Sequence, residues 1–533
     1  MIAAAWPPWD FDLLVWVALV PWCLAVAQQR RLLGAFAQGF LLSLLVGLLS
    51  AHWIAFAARE FLEVSEPVSV LVLLLFSATC AQPHLIFFAL VLHWSHRRLL
   101  REASAARSIL VCLALALLYT GLEAAPPRLF DIGLGYALHD SPRLRQAADL
   151  GGVRLLTFAV VAANLLLWQA FSLLRTTRRR ASIATHLLVV GVGLGTLAMY
   201  GSVREGEIRS LVEEAGASVE VGVVQGNVPN DVRLAWARGD ERAAEEQLAA
   251  YALPTEELMG RTPPPELIVW PEAAFPGVFM QPRSKLQRGR ANKFDRQILR
   301  LNRPVVFGAY DLETRDSEVV LYNAIFAVTP RYDKPGTQGS VQRYRKYLLL
   351  PFAETIPGLE GNAWLRRNLP SLGFFGKGEG ASVFDVETPN RNKLSLGPTI
   401  CSESLSSQHV IDTVRQGAEI LVNVGSDGWF GDWGEPQFHL AVARLRSVET
   451  RRPQIRSTNT GVSALILPDG EIATRSAVGK KATLSFSVPL ISPIESTVVR
   501  WGDGFGWASL ITGVSTILLI MIWVQMGSRR RGT

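Results

Sequence analysis

The sequence predicts a polytopic α-helical membrane domain joined to an α/β domain, and its composition and hydropathy pattern support this fold class. Of the 533 residues, 49% are hydrophobic and 19% are charged, whereas soluble domains have about 25% charged residues. The mean hydropathy is +0.23. Apolar runs that could cross a bilayer, which takes about 20 residues, occur only in residues 1–200 and 506–526. A large extramembrane part is therefore predicted between them.

Residues 1–200 form the predicted transmembrane domain of about six helices, and 506–526 form a closing transmembrane helix. The apolar runs are 11–27, 32–58, 67–95, 108–122, 149–174, 182–200 and 506–526. Pro83 interrupts the third run, and because its second half alone is too short to span, we predict one helix kinked there. The first run ends like a signal-peptidase site, but Asp10 and Asp12 stand where a signal peptide is positively charged, which favours a retained span.

Arginine-rich segments alternate with segments that are not basic. Arginines cluster in 30–31, 97–107, 175–180 and 529–531, whereas 59–66 is acidic and 123–148 is mixed. Cytoplasmic loops carry an excess of Lys and Arg, so seven spans in this register place the N-terminus and residues 201–500 outside the cytoplasm. The sequence pI of 9.4 follows from this asymmetry and does not indicate nucleic-acid binding.

Residues 218–490 are predicted to form an α/β domain, because β-rich runs alternate with helical patterns. The helical patterns cover 239–252 and 436–450. The strand candidates are 219–228, 267–270, 304–310, 321–329, 394–401, 420–424 and 455–467. A nearly continuous apolar strand such as 266–270 indicates a sheet that is covered on both faces.

Candidate catalytic residues stand at the ends of predicted strands. Glu272 follows the strand 267–270, Cys401 ends the strand 394–401, and Lys346 lies between them in the chain. The four Cys are too few for a disulfide scaffold, and Cys401 alone lies outside the apolar runs. A thiol that attacks, a carboxylate that takes its proton and an ammonium that holds the oxyanion can perform acyl transfer. Spacing alone leaves another interpretation open, a buried Cys with two surface charges.

The order of these segments and the residues in them resemble those of the nitrilase, or carbon–nitrogen hydrolase, superfamily with its Glu-Lys-Cys triad. With helices before and after such a domain, the chain resembles the bacterial apolipoprotein N-acyltransferases. The matching motifs are 224–229, 270–272, 344–346, 351–354, 400–403, 427–431, 446–449 and 458–463. The chain departs from the family pattern at Ser402, where an aromatic residue often follows the nucleophile. Family members also usually open with one more transmembrane helix.

The resemblance implies an αββα sandwich for residues 218–490, in a multi-pass inner-membrane enzyme with its catalytic domain on the periplasmic side. It implies transfer of an acyl chain from the sn-1 ester of a phospholipid to a diacylated apolipoprotein, at the α-amino group of the N-terminal diacylglyceryl-cysteine. Cys401 would be the nucleophile that forms a thioester, Glu272 the general base and Lys346 the oxyanion-stabilising cation. Glu354 and Glu403 would support them.

Two other functions are compatible with the sequence. One is a membrane-tethered carbon–nitrogen hydrolase of the amidase or nitrilase type, with water as the acceptor, and the other is an inactive relative that binds lipid or lipoprotein. The flanking helices favour the acyltransferase, because a soluble amide needs no bilayer. No metal or cofactor is expected, since the eight His form no ligand cluster with Cys or Asp in the sequence.

Overall fold

The computed structural model describes residues 1–101, 103–125, 130–176, 180–280, 285–315, 318–356, 358–359, 364 and 374–530. Arg178, Arg179 and Arg531, which belong to the predicted cytoplasmic segments, lie outside these ranges. The chain forms two compact units. The first consists of Met1–Ala55, Ser65–Gly206 and Arg500–Thr533, and the second of Phe56–Val64 and Glu207–Val499. The acidic segment Phe56–Val64 therefore belongs to the second unit.

Apolar helices dominate the first unit. The helices of residues 1–213 and of the C-terminal segment are Val20–Gln28, Leu32–Ser50, Trp53–Leu62, Glu66–Thr79, His84–Ser95, Ala105–Ala124, Ala148–Thr176, Arg180–Glu213 and Phe505–Arg530. Among the described residues, six helical segments are long and apolar enough to cross a membrane. They are Leu32–Ser50, Glu66–Leu100, Ala105–Ala124, Leu144–Arg175, Arg180–Glu213 and Phe505–Met526. The predicted polytopic helical class is confirmed.

The predicted kink at Pro83 is a break of several residues. One helix ends at Thr79 and the next begins at His84. Proline has no N–H to donate, and its ring collides with the carbonyl of the residue four positions earlier, which is Thr79. The break therefore begins where that clash falls, and the two helices still belong to one 35-residue apolar segment, Glu66–Leu100.

The first predicted span is less regular than expected. A 3₁₀ turn, Asp12–Trp16, precedes a nine-residue helix, Val20–Gln28. The buried side chain of Asn164 bonds to the chain between them: its Oδ1 accepts the N–H of Leu19 at 2.8 Å, and its Nδ2 donates to the carbonyl of Val15 at 2.8 Å. Backbone groups in an apolar environment must be paired, so this amide allows the helix to be interrupted here.

Two six-stranded sheets form the centre of the second unit. In chain order, strands β1 to β12 are Ser218–Gln225, Leu267–Val269, Val305–Arg315, Glu318–Pro330, Gln338–Arg345, Phe384–Thr388, Arg391–Ile400, Ile420–Gly425, Gln454–Thr458, Ala464–Ile466, Ile472–Arg475 and Ala482–Pro489. One sheet has the order β12-β1-β2-β3-β4-β5 and the other β11-β10-β9-β8-β7-β6. Strands β1 to β3 are parallel, as are β7 to β9, and the other neighbouring strands are antiparallel.

The two sheets pack face to face, with helices on their outer surfaces. Val223 and Ile325 of one sheet and Leu396 and Val422 of the other belong to one buried apolar cluster. The helices of the second unit are Asn230–Ala237, Glu241–Met259, Lys285–Arg300, Ser407–Arg415, Glu435–Thr450 and Thr497–Trp501. The second and third pack on the outer face of the first sheet, and the fourth and fifth on the second sheet. This is the αββα sandwich that the resemblance implies, and the predicted class is confirmed.

The strands predicted from sequence are the inner strands of both sheets. The four that the pattern misses, β5, β6, β11 and β12, are the four sheet edges. The prediction of one strand over 455–467 is wrong, because these residues form β9 and β10 with a turn between them. The hydroxyl of Ser463 accepts the N–H of Thr458 across that turn at 3.0 Å.

Candidate active site

Three segments that follow strands meet at one cavity in the second unit. Glu272 lies three residues after β2, Lys346 directly follows β5, and Cys401 directly follows β7. Together with Glu354, these side chains line a cavity of about 210 Å³. The fold therefore brings together four of the five predicted site residues, although long stretches of chain separate them.

The turn that presents Glu272 packs closely against β3. The carbonyl of Pro271 accepts the N–H of Gly308 at 3.0 Å. A Cβ atom at Gly308 would lie 2.4 Å from the backbone N of Ala273 and 2.6 Å from the Cα of Glu272. Both distances are far below van der Waals contact, so glycine is required for the backbones to approach this closely.

Lys346 is held by an ion pair and by a buried asparagine. Its Nζ lies 2.7 Å from Oε2 of Glu354, and its backbone N–H donates to the carbonyl of Asn323 at 2.8 Å. The side-chain amide of Asn323 donates to Oε1 of Glu272 at 2.7 Å and to Oε1 of Glu354 at 3.1 Å. Asn323, a β4 residue, thereby connects both carboxylates to the lysine segment.

Cys401 begins a tight turn in a strained backbone conformation. It starts the 3₁₀ segment Cys401–Leu405 with a left-handed φ of +50°, which costs a non-glycine residue about 1–3 kcal/mol. Its carbonyl is contacted by Nε2 of His439 at 3.0 Å and by Nδ2 of Asn423 at 3.4 Å. Strain that surrounding side chains maintain at a reactive residue is typical of a functional site.

Burial and mutual charge set the protonation states of these groups. Burial raises the pKa of the Cys401 thiol well above its usual value, and Glu272 raises it further while Lys346 lowers it. Burial also raises the pKa of Glu272, against the lowering effect of Lys346. Burial opposes the charge of Lys346, but Glu354, Cys401 and Glu272 outweigh it and raise the pKa of the ammonium. The thiol is thus protonated near neutral pH, whereas the lysine stays charged.

Glu403 belongs to the same 3₁₀ turn as Cys401, Cys401–Leu405, and is fully buried. Its Oε1 accepts the N–H of Tyr347 at 2.7 Å, and its Oε2 accepts the N–H of Ile400 at 2.7 Å. These two residues are the neighbours of Lys346 and Cys401 in the chain. Glu403 therefore connects the backbone that follows Lys346 to the backbone that precedes Cys401.

An ionic cluster around His439 packs against the turn Cys401–Leu405. Nδ1 of His439 lies 3.2 Å from Oε1 of Glu435 and 3.5 Å from Oδ1 of Asp427, and Arg456 pairs with Asp427 at 2.8 Å. The expectation that no His would cluster with Cys or Asp is wrong, since ligand-type atoms of Cys401, Asp427 and His439 lie within 4.8 Å of one another. Asp427 and His439 are engaged in the ion-pair contacts just described, so we interpret the cluster as a charged support of the turn.

Three other residues at this site were not among those predicted from the sequence. Arg233 of the helix Asn230–Ala237 and Phe61 line the cavity, as does Asn323. The rings of Phe61 and Trp429 stack with centroids 4.7 Å apart. For Asn323, a polar side chain within the apolar strand 321–329 was an available signal. Phe61 comes from a distant segment, and no local pattern points to it.

Comparison with known proteins identifies the family. Residues 1–166 match the family model described as the apolipoprotein N-acyltransferase N-terminal domain, and residues 220–490 match that described as carbon-nitrogen hydrolase. An apolipoprotein N-acyltransferase of Bdellovibrio bacteriovorus is 30% identical over 521 residues, which cover 96% of this chain and 90% of the relative. The chain belongs to the apolipoprotein N-acyltransferase family. Another apolipoprotein N-acyltransferase, from Geobacter metallireducens, is 27% identical over 515 residues, 95% of this chain and 91% of the relative.

Solved structures similar to this family member come from the nitrilase superfamily. An amidase from Nesterenkonia sp. has a TM-score of 0.36 at 15% identity and covers 54% of this chain and 93% of its own. Nit3 of Saccharomyces cerevisiae has a TM-score of 0.35 at 16% identity and covers 51% of this chain and 90% of its own. This member of the apolipoprotein N-acyltransferase family is therefore an acyltransferase. The six apolar helices among its described residues suit an inner-membrane protein.

Proposed function

We propose that this enzyme transfers an acyl chain from the sn-1 ester of a phospholipid to the α-amino group of the N-terminal diacylglyceryl-cysteine of an apolipoprotein. The observation that carries the proposal is the single cavity lined by Glu272, Lys346 and Cys401. The acceptor is chosen because relatives named apolipoprotein N-acyltransferase match nearly the whole chain. Apolar cavity residues, among them Phe61 and Trp429, suit a substrate with acyl chains.

In the first half-reaction, the sulfur of Cys401 attacks the ester carbonyl while its proton passes to Glu272. A base is needed because burial raises the pKa of the thiol. The ammonium of Lys346, kept in place by Glu354 at 2.7 Å, stabilises the oxyanion of the tetrahedral intermediate. The ester C–O bond then breaks, and the proton on Glu272 passes to the departing glyceryl oxygen. A thioester on Cys401 and a lysophospholipid result.

In the second half-reaction, the α-amine of the apolipoprotein attacks the thioester carbonyl. Glu272 takes a proton from the amine as the C–N bond forms, and Lys346 again stabilises the oxyanion. The C–S bond breaks, and the proton passes from Glu272 to the sulfur of Cys401. The products are an N-acylated lipoprotein and the free thiol, so the enzyme is ready for another phospholipid.

We propose that residues 201–500 lie on the periplasmic side of the inner membrane. The arginine-rich segments 97–107 and 175–180 are separated by two helices that could cross the membrane, Ala105–Ala124 and Leu144–Arg175, so both segments lie on one side. The excess of arginine makes that side cytoplasmic. Helix Arg180–Glu213 then leads the chain outward.

The two half-reactions predict substituted-enzyme kinetics, which mass spectrometry can test. Incubation of the full-length protein with phospholipid alone should add one acyl mass to the peptide that carries Cys401 and release lysophospholipid. A diacylated lipopeptide should then remove that mass and carry it on its own α-amine. Cys401→Ala is the matched control and should acquire no acyl mass.

The competing functions give different results in the same experiment. A hydrolase would discharge the thioester to free fatty acid at the same rate with or without the lipopeptide. An inactive relative would acquire no acyl mass from phospholipid. Either result would contradict the proposed acyl transfer to an amine.

A further inference from the structure

Arg233 is a buried cation in the cavity that the proposed chemistry does not use. It lies on the helix Asn230–Ala237, is 7% exposed and lines the same cavity as Cys401. One of its N–H groups donates to the hydroxyl of Ser426, which is also buried. The guanidinium carbon lies 5.4 Å from the ring centre of Trp429. These two contacts fix where the charged group lies.

No carboxylate in the described part of the chain pairs with Arg233. Lys346, another cation of the cavity, differs in this respect because it is paired with Glu354 at 2.7 Å. An arginine has five N–H donors, and the bond to Ser426 uses one of them, on the terminal nitrogen Nη1. Burying a charge is costly unless it is paired. Free donors of a buried guanidinium at a cavity wall therefore indicate an anionic ligand, and their planar fork matches phosphate oxygens.

We propose that Arg233 binds the phosphodiester of the acyl donor and so selects a phospholipid over an uncharged acyl ester. This inference rests on the proposed function, because it concerns the donor of the first half-reaction. In a glycerophospholipid the phosphate is attached to the same glycerol unit as the sn-1 ester. A phosphate held by Arg233 therefore keeps that ester near Cys401, which lines the same cavity.

The acceptor substrate has the opposite charge character. A diacylated lipopeptide presents an α-amine and uncharged esters but no phosphate at its lipid-bearing residue, so Arg233 has no anion to bind there. Donor and acceptor must use the cavity in turn, since the donor acylates Cys401 and the acceptor amine then attacks the carbonyl of the resulting thioester. Arg233 therefore acts in the charging step, and the lysophospholipid, which keeps its phosphate, competes with the next donor.

The test compares two donors that differ only in the phosphate headgroup: a phospholipid and the diacylglycerol with the same acyl chains. Both are presented in mixed micelles to the full-length protein, and the acyl mass on Cys401 is followed with time. Arg233→Gln should lower kcat/KM for the phospholipid by about 10- to 100-fold, the usual effect of losing hydrogen bonds to a charged group. Both donors are measured at one pH, at which the charging rate no longer changes with pH. There, Arg233→Gln should change the rate with diacylglycerol by less than about twofold.

Two further variants separate charge from shape. Arg233→Lys keeps the charge but loses the fork, so its loss with phospholipid should be intermediate. Arg242→Gln removes an exposed arginine of the helix Glu241–Met259 and should leave both donors unaffected. With diacylglycerol as the donor for both proteins, lysophospholipid should inhibit charging of the wild type more strongly than charging of Arg233→Gln.

The half-reactions also distinguish the possible roles of Arg233. Discharge of the preformed acyl-enzyme by a diacylated lipopeptide should stay within about twofold of the wild type in every variant. Equal losses with both donors, or a wild type that does not prefer phospholipid, would overturn phosphate binding by Arg233. A loss confined to discharge would overturn it too, by assigning Arg233 to the acceptor. If neither donor acylates Cys401 of the wild type, the proposed function is contradicted, and phosphate binding by Arg233 is contradicted with it.

Discussion

Asn323→Ala should move the pH dependence of Cys401 charging to higher pH. The side-chain amide of Asn323 donates to Glu272 at 2.7 Å, and this bond lowers the pKa of a carboxyl that burial raises. A hydrogen bond to a charged group contributes about 1.5–3 kcal/mol, which corresponds to about 10- to 100-fold in the ionisation equilibrium. Without the amide, the pKa of Glu272 should therefore rise further. On the acid side of the profile, charging should therefore slow by about 10- to 100-fold, because less of the base is ionised.

The assay is single-turnover charging by phospholipid, measured as acyl mass on the Cys401 peptide across a range of pH. At pH values well above both pKa values, Asn323→Ala should approach the wild-type rate, which a merely disrupted site would not do. Asn390→Ala, in an exposed turn, is the matched control and should keep the wild-type profile. An equal loss at every pH, with no movement of the acid limb, would refute the reasoning.

Three further predictions concern the base, the topology and the ionic cluster. Glu272→Gln should slow charging by at least about 100-fold, the lower range for general-base assistance, and a loss below about tenfold would remove Glu272 from that role. In a Cys80→Ser background, Ser340→Cys should react with a membrane-impermeant thiol reagent in intact spheroplasts, and protection until lysis would contradict the periplasmic orientation. Burial and Asp427 raise the pKa of Glu435 to about 7. Its stabilising contribution is thus complete below its ordinary pKa of about 4.5 and lost as pH rises through about 7. Glu435→Gln should therefore flatten the decline in thermal-denaturation midpoint between about pH 4.5 and 7, and an unchanged slope would count against this cause.

The inner strands of the sandwich could be predicted from sequence because they are apolar on both faces. All six residues of β8 are buried between the opposite sheet and a covering helix. The edge strand β5 reads Gln338 to Arg345 with mostly polar residues, and its first three are exposed. Edge strands have one open side, and polar residues there prevent pairing with other chains. The same property that protects an edge therefore hides it from a hydropathy pattern.

The membrane region divides in a similar way. Hydropathy predicted the apolar segments, and the break before His84 falls where the ring of Pro83 dictates. The irregular start of the helix Val20–Gln28 could not be predicted from its own residues. It depends on Asn164, whose amide pairs backbone groups more than a hundred positions earlier in the chain.

The sequence by itself determined the membrane and α/β regions and proposed Glu272, Lys346 and Cys401, since hydropathy, strand ends and motif order are properties of short segments. Only the tertiary structure decided that Asn323 links Glu272 to Glu354 and that Arg233 lines the same cavity. The physical reason is that ion pairs and hydrogen bonds of about 3 Å require groups to meet in space. Which strand ends meet is set by the packing of the two sheets, and no local pattern encodes that packing.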